Sequence, residues 1–255
     1  MLTAITRAVS PGIHRCELSH LDRQPIDFDK AVEQHRQYEA SLRALGATIV
    51  SLPAEPDLPD SMFVEDAAVV VDEVAVMTRM GAPSRRRESE TLAAALSRFR
   101  PLRWMRDPAT LEGGDVLRVG STVFVGLSAR TNPEGVAQLE AELAPLGYSI
   151  RPVEVRGCLH LKSACCWIGD RKLIVNRDWI DGAALNGFEI IEVPGGEPRA
   201  ANVLAIGDTV LVPASFPRTA EMLAHMGRQI RTLDISELMK AEAGLTCSSL
   251  LFEAP

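Results

Sequence analysis

Apolar and polar positions along the chain fall into two alternating patterns. The first reads as a helix, a short turn and a strand. Leu42–Leu45 leads through Gly46 into Thr48–Leu52, and Leu92–Phe99 through Pro101 into Leu102–Met105. Leu139–Leu146 leads through Gly147 into Ser149–Val155, Leu185 through Gly187 into Phe188–Val193, and Met222–Met226 through Gly227 into Gln229–Ile235. Gly46, Gly147, Gly187 and Gly227 stand where a helix needs a left-handed residue to stop, which glycine supplies without a Cβ clash. The second pattern is a strand pair with a tight turn. Val64–Val71 turns at Asp72-Glu73 into Val74–Thr78, and Val116–Val119 at Gly120-Ser121 into Thr122–Val125. Ser163–Ile168 turns at Gly169-Asp170 into Lys172–Val175, and Val203–Ile206 at Gly207-Asp208 into Thr209–Val212. Short β-rich runs split by Gly/Asp turn residues predict hairpins. A fifth stretch, Cys247–Phe252, has one strand only, and Leu2–Val9 can supply its partner by joining the two ends of the chain.

The helices fit the same unit. Phe28–Leu45 spaces Ala31, Val32, Tyr38, Leu42 and Leu45 at approximately helical intervals. Asn132 is placed to cap a helix over Pro133–Leu146, with Pro133 in its first turn, and Pro217 opens another over Pro217–Met226. The polar residues at the start of each strand pair are Asp66, Glu112, His160, Asn202 and Cys247, separated by gaps of 46, 48, 42 and 45 residues. A period of this length predicts an α/β propeller of five ββαβ units. Equivalent ends of the units would then face one axis, so an acid, an imidazole and a thiol far apart in sequence would converge there. The alternative is an ordinary α/β fold whose strands recur by chance. No low-complexity linker interrupts the 255 residues, which are read as one domain over 1–255.

Composition narrows the class. Apolar residues make up 46% and charged residues 24%, enough for a core and against disorder. With 27 Lys+Arg and 34 Asp+Glu the net charge is −7, and no basic run is long enough to follow a nucleic-acid backbone. The longest wholly apolar runs, such as Ala67–Val71, span five residues, far short of the roughly 18 that suggest a membrane helix. Met1–Pro11 lacks the pattern of a signal peptide, and five cysteines are an odd number for a disulfide scaffold. A cytoplasmic, reduced protein is expected.

Cys247 lies in Gly244-Leu245-Thr246-Cys247-Ser248-Ser249 at the mouth of an apolar strand. A lone cysteine there is ordinarily a small buried hydrophobe. Its register with Glu112 and His160 instead suggests a nucleophile, because a thiol needs a nearby base or cation to become one. His160 can move protons, and Glu112 can orient the imidazole or stabilise its cation. Strand alternation over Cys158–Lys162 puts Cys158, His160 and Lys162 on one face. A zinc site from Cys158, His160, Cys165 and Cys166 is disfavoured, since no paired CxxC is present and adjacent strand residues point to opposite faces. Cys16, Cys158, Cys165 and Cys166 are read as packing residues, and no metal or cofactor is expected. Glu112-Gly113-Gly114-Asp115 is neither a phosphate loop nor a dinucleotide fingerprint; its glycines permit close backbone approach. Asp60, Glu65 and Asp66 beside Ala67–Val71 are either solvated loop charges or the wall of a negative pocket, whose natural ligand is a guanidinium. One inward arginine of Arg85-Arg86-Arg87, together with Arg130, can grip a carboxylate. Acids at one end and arginines at the other suit an arginine-like amino acid.

Leu58–Asp66, Gly81–Arg86, Leu111–Val116, Ser128–Asn132, His160–Lys162 and Leu245–Cys247 together resemble the dimethylarginine dimethylaminohydrolases, members of the guanidine-modifying (pentein) superfamily of five-bladed α/β propellers. The resemblance runs from about Gln34 to Phe252. It implies Cys247 as nucleophile, His160 as general acid/base and Glu112 as the carboxylate supporting His160. It implies Asp60, Glu65 and Asp66 around the guanidinium and amine, Phe63 lining the pocket, and Arg85 and Arg130 on the substrate carboxylate. Leu18 would lie on a lid loop. Ala241, where relatives carry a larger aliphatic residue, would offer its carbonyl to the amine. The implied reaction converts Nω-methylated arginine to citrulline and methylamine or dimethylamine, without a cofactor or metal. The rivals are an arginine deiminase-like hydrolase acting on unmethylated arginine and a non-catalytic arginine-binding propeller. The expected partner is the small-molecule substrate, neither nucleic acid nor membrane, and self-association as a homodimer stays open.

Overall fold

The computed structural model describes residues 1–254. Its strands assemble into five separate three-stranded sheets built to one plan. In the first sheet β1 (Leu2–Arg7) lies parallel to β2 (Thr48–Leu52), and helix α1 (Phe28–Ala44) makes the crossover. The next unit is the hairpin β3 (Ala68–Val70) and β4 (Ala75–Met77), then α2 (Glu88–Leu96), then β5 (Leu102–Trp104) parallel to β4. The third is β6 (Val116–Val119), β7 (Thr122–Leu127), α3 (Pro133–Leu143) and β8 (Ser149–Glu154). The fourth opens with the single turn α4 (Leu161–Ala164), followed by β9 (Cys165–Trp167), β10 (Lys172–Val175) and β11 (Glu189–Glu192). Its crossover holds only a short 3-10 turn, Gly182–Leu185, where the sequence suggested a helix. The fifth is β12 (Leu204–Ile206), β13 (Thr209–Pro213), α5 (Pro217–His225) and β14 (Gln229–Leu233). After α6 (Ser236–Met239) the last strand, β15 (Leu250–Glu253), pairs antiparallel with β1, matching Leu2 to Glu253 and Ile5 to Leu250. The two ends of the chain thus complete one sheet, as the missing fifth partner strand predicts.

The reason for this plan lies in the middle strands. Each middle strand is paired along both edges and sends alternate side chains into apolar clusters on both faces, so it reads as an almost continuous apolar run. β4, β10 and β13 are Ala-Val-Met, Lys-Leu-Ile-Val and Thr-Val-Leu-Val-Pro, and all but the first residue of β10 are buried. Successive side chains of each strand enter different neighbours. Phe124 packs with Leu173 and Cys165 toward the fourth sheet, whereas Val123 and Val125 pack with Val69 and Val76 toward the second. Ile174 shares a cluster with Val210 and Val212, Leu211 with Ala4, and Ile5 with Met77. Each sheet is joined to both neighbours through one of five apolar clusters, which closes a five-bladed α/β propeller.

Local signals behave as their chemistry dictates. The Asn132 side chain accepts the Gly135 amide at the start of α3, and Gly46, Gly147, Gly187 and Gly227 sit at φ near +90° where their helices or turns end. No helix among the described residues is long and apolar enough to cross a membrane.

Candidate active site

Just before the first strand of each blade the chain makes a tight turn, and these turns carry the spaced polar residues. Val64–Ala67 bears Glu65 and Asp66, Gly113–Asp115 follows Glu112, α4 follows His160, and Thr246–Ser248 contains Cys247. Asn202 occupies the corresponding place before β12. The turns are tied into a closed belt of hydrogen bonds. The Gly114 amide donates to Asp66 Oδ1 (2.9 Å), the Leu161 amide to Asp115 Oδ1 (2.9 Å), and Asn202 Nδ2 to the Lys162 carbonyl (3.0 Å). The Thr246 amide then donates to Asn202 Oδ1 (3.1 Å), and Thr246 Oγ1 to Glu65 Oε2 (2.7 Å), which returns to the first turn. Alternation over Cys158–Lys162 does not hold, because no strand forms there and Leu161–Ala164 is helical, with His160 as its N-cap.

A pocket opens on this belt, and Asp60, Phe63, Asp66, Arg85, Arg130, His160, Ala241 and Cys247 all line it. Three other residues named from the sequence stand elsewhere. Glu112 is fully buried behind His160 and donates no surface to the pocket. Glu65 faces another cavity, gripped by Lys162 (2.5 Å) and Thr246. Leu18 is half-buried against the apolar cluster shared by the first and fifth blades.

His160 Nε2 is 2.8 Å from Glu112 Oε2, and Nδ1 lies 3.9 Å from Asp66 Oδ1, beyond hydrogen-bond reach. Burial works against the imidazolium, but Asp66, the Glu112 hydrogen bond and Asp115 outweigh it and raise the His160 pKa to about 9. Burial likewise opposes ionisation of Glu112, yet the His160 hydrogen bond, Arg85 and Arg130 hold its carboxyl well below the usual range. The resting site is therefore an imidazolium–carboxylate pair at neutral pH. Cys247 is the half-buried member of five free cysteines, the other four being buried. Burial, with Glu65 and Asp66 adding to it, pushes its thiol up, while the Gly244 amide (3.3 Å from Sγ) and Lys162 pull the other way. Burial also pushes Cys16 up to about 11 and Cys158 to about 12, so Cys247 is set apart from them not by an easier ionisation but by lining the pocket together with His160.

Arg85 is the inward arginine of its triplet. It is buried, with Nε and Nη2 on Glu88 (3.1 and 2.9 Å) and Nη1 on Asp66 (2.9 Å). Arg130 donates to Glu112 Oε1 (3.2 Å) and to Ser19 Oγ (3.0 Å). Asp60 accepts the Glu17 amide (3.1 Å), and burial raises its pKa despite Arg85. Asp66, Glu112 and His160 offer donor atoms within 4.8 Å of one another, a spacing that could hold a metal ion. Arg85, at 2.9 Å from Asp66 and 3.7 Å from Glu112, and Arg130 already supply these carboxylates with the positive charge that a metal ion would bring.

Sequence reasoning assigned no role to several residues that build the site. Glu88 neutralises Arg85 from one helical turn away, a spacing the sequence does display. Asp115 accepts Ser128 Oγ and Thr131 Oγ1 (both 2.7 Å) as well as the Leu161 amide, fixing the loop of Arg130 to the turn after His160. Gly114 carries a further constraint. A Cβ there would lie 2.5 Å from His160 Nδ1 and 2.8 Å from Asp66 Oδ1. Gly114→Ala is expected to displace the imidazole, costing roughly 10²-fold in kcat/KM. The overpacking itself costs about 1–3 kcal/mol of stability. Steady-state rates and thermal melts check both; an unchanged rate would mean that the ring has room to move.

The family model for arginine deiminase matches residues 29–193. An N(G),N(G)-dimethylarginine dimethylaminohydrolase of Pseudomonas aeruginosa is 37% identical over 236 residues, covering 92% of each chain. Another of that name, from Streptomyces coelicolor, is 39% identical over 97% of this chain and 95% of its own. Among solved structures, a dimethylarginine dimethylaminohydrolase from Pseudomonas aeruginosa, a cysteine-to-serine mutant complexed with citrulline, superposes with a TM-score of 0.94 at 34% identity, covering 99% of this chain and 100% of that one.

Proposed function

The chain belongs to the dimethylarginine dimethylaminohydrolase family, and from that premise we propose that it hydrolyses Nω-methylated arginine to citrulline and methylamine or dimethylamine. The observation that carries this reading is one pocket lined by Cys247, His160, Asp66 and two arginines.

Asp66 takes the guanidinium and Glu65 supports it from behind Cys247. Asp60 and the Ala241 carbonyl take the α-amine, Phe63 packs against the alkyl chain, and Leu18 belongs to the covering loop. Arg130 and the N–H groups that Arg85 does not spend on Glu88 and Asp66 take the α-carboxylate. In the free protein burial, with Glu65 and Asp66 adding to it, favours the protonated Cys247 thiol. A bound guanidinium reverses that balance, because a cation beside the sulfur favours the thiolate, and the proton leaves to solvent. The thiolate attacks the central guanidinium carbon. His160, already protonated and held by Glu112, gives its proton to the departing amine as the C–N bond breaks, leaving a thiouronium on Cys247. Neutral His160 then takes a proton from water, the C–O bond forms, the C–S bond breaks, and citrulline leaves. The cytoplasm is the proposed compartment, in keeping with five unpaired cysteines.

Product analysis with asymmetric dimethylarginine, monomethylarginine and arginine side by side tests the reading. Citrulline with dimethylamine or methylamine is the expected result. Ammonia from unmethylated arginine alone would overturn it in favour of a deiminase, the activity that names the matching family model.

A further inference from the structure

Glu242 is one of two non-glycine residues held at positive φ (+59°) among the described residues, a left-handed conformation that disfavours a side chain. Such backbone strain persists only where surrounding contacts enforce it. Here the contacts are plain. The Glu242 carboxylate accepts three consecutive amides from a distant segment: Ser19 (3.0 Å), His20 (2.5 Å) and Leu21 (2.6 Å). Three successive amides converging on one carboxylate make a charge-assisted clamp.

The clamped segment covers the candidate active site. Glu17 lines the pocket, its amide donates to Asp60, and its carboxylate accepts Ser84 Oγ. Ser19 Oγ accepts Arg130, and Leu18 lies between these two anchors. Residue 241, next to the clamp, is itself pocket wall, and Glu242 lines the pocket too. The left-handed turn therefore does two things at once: it aims the carboxylate at the covering strap and sets the backbone from which Ala241 faces the substrate.

We propose that Glu242 is a positioning residue for substrate binding, which holds the 17–21 strap shut over the pocket and registers it against the Ala241 wall. The inference rests on the proposed arginine-derivative pocket and adds to it a residue that none of the pocket chemistry requires. It does not act on the reacting atoms, so its removal is expressed in KM more than in kcat.

Glu242→Gly separates the clamp from the fold, because glycine adopts φ +59° freely and relieves the strain. The variant is expected to stay folded, relief of the strained backbone offsetting part of the hydrogen bonding that is lost. Amide exchange at Ser19–Leu21 is expected to quicken at least about tenfold without ligand, and KM for the methylated arginine to rise about ten- to a hundredfold, with kcat changing less. Glu242→Gln, which keeps one acceptor oxygen, is expected to fall between. Exchange at Ser19–Leu21 within twofold of the unaltered protein would overturn the proposal, as would faster exchange with an unchanged KM. If the unaltered protein fails to turn over methylarginine, the substrate reading falls, and the exchange measurement still decides whether Glu242 holds the strap.

Discussion

Cys247→Ser is expected to lower citrulline formation by more than about 10³-fold while the protein stays folded. The loss follows from the sulfur's surroundings. A bound guanidinium can tip a thiol into its thiolate even against Glu65 and Asp66, but a hydroxyl starts many units higher and stays protonated. The exchange of sulfur for oxygen is nearly isosteric, a hydroxyl can still accept the Gly244 amide, and the turn that holds it, Thr246–Ser248, is also anchored by Asn202 and Glu65 through Thr246. The melting temperature should therefore move by less than about 4 °C. Citrulline release in the serine variant at rates near those of the unaltered protein would remove Cys247 from the mechanism. A loss of activity accompanied by unfolding would be read against the binding of citrulline, which a folded variant retains.

His160→Asn is the second large effect, at about 10²–10⁴-fold in kcat. It has a signature that a merely structural histidine would lack. If His160 protonates the departing amine, an analogue whose leaving group departs without a proton loses much less rate in the variant than methylarginine does. Equal losses on both would end the acid assignment. The same residue gives a stability readout. Its folded pKa is about 9 against an ordinary 6.5, so the imidazolium's contribution is complete below pH 6.5 and is lost as pH rises through 9. The melting temperatures of the two proteins should accordingly converge between pH 6.5 and 9; a constant gap would show that the pairing with Glu112 and Asp66 does not depend on charge.

Much of the fold is legible along the chain because it is written in short-range chemistry. Gly46, Gly147, Gly187 and Gly227 stop their elements at positive φ, and Asn132 caps α3 through its own side chain. The hairpin turns at Gly120, Gly169 and Gly207 likewise announce themselves. What stays hidden is of two kinds. Elements of three or four residues, such as Val64–Ala67 and Leu161–Ala164, are too short to display a helical period and were absorbed into the strands that follow. Contacts across the ring leave no trace in local pattern either. Lys162 meets Glu65 across 97 positions and Glu242 meets Ser19 across 223, so their roles emerge only when the turns are brought together. The period places Asp66, Glu112, His160 and Cys247 at equivalent positions, and all but Glu112, which sits behind His160, line the pocket. Asp60, Glu65, Arg85 and Arg130 are legible only as local charge, with Glu65 facing a separate cavity, and Phe63 and Ala241 only through the family resemblance.

The belt that links the five turns has a mechanical meaning. A linear stack of repeats can shed a terminal unit and forfeit a single interface, so it frays from its tips. A circle has no tip: lifting any one blade severs two apolar seams and two links of the belt together. Cooperativity is thus enforced by geometry, and among the described residues no blade can loosen without disturbing the turns beside that of Cys247.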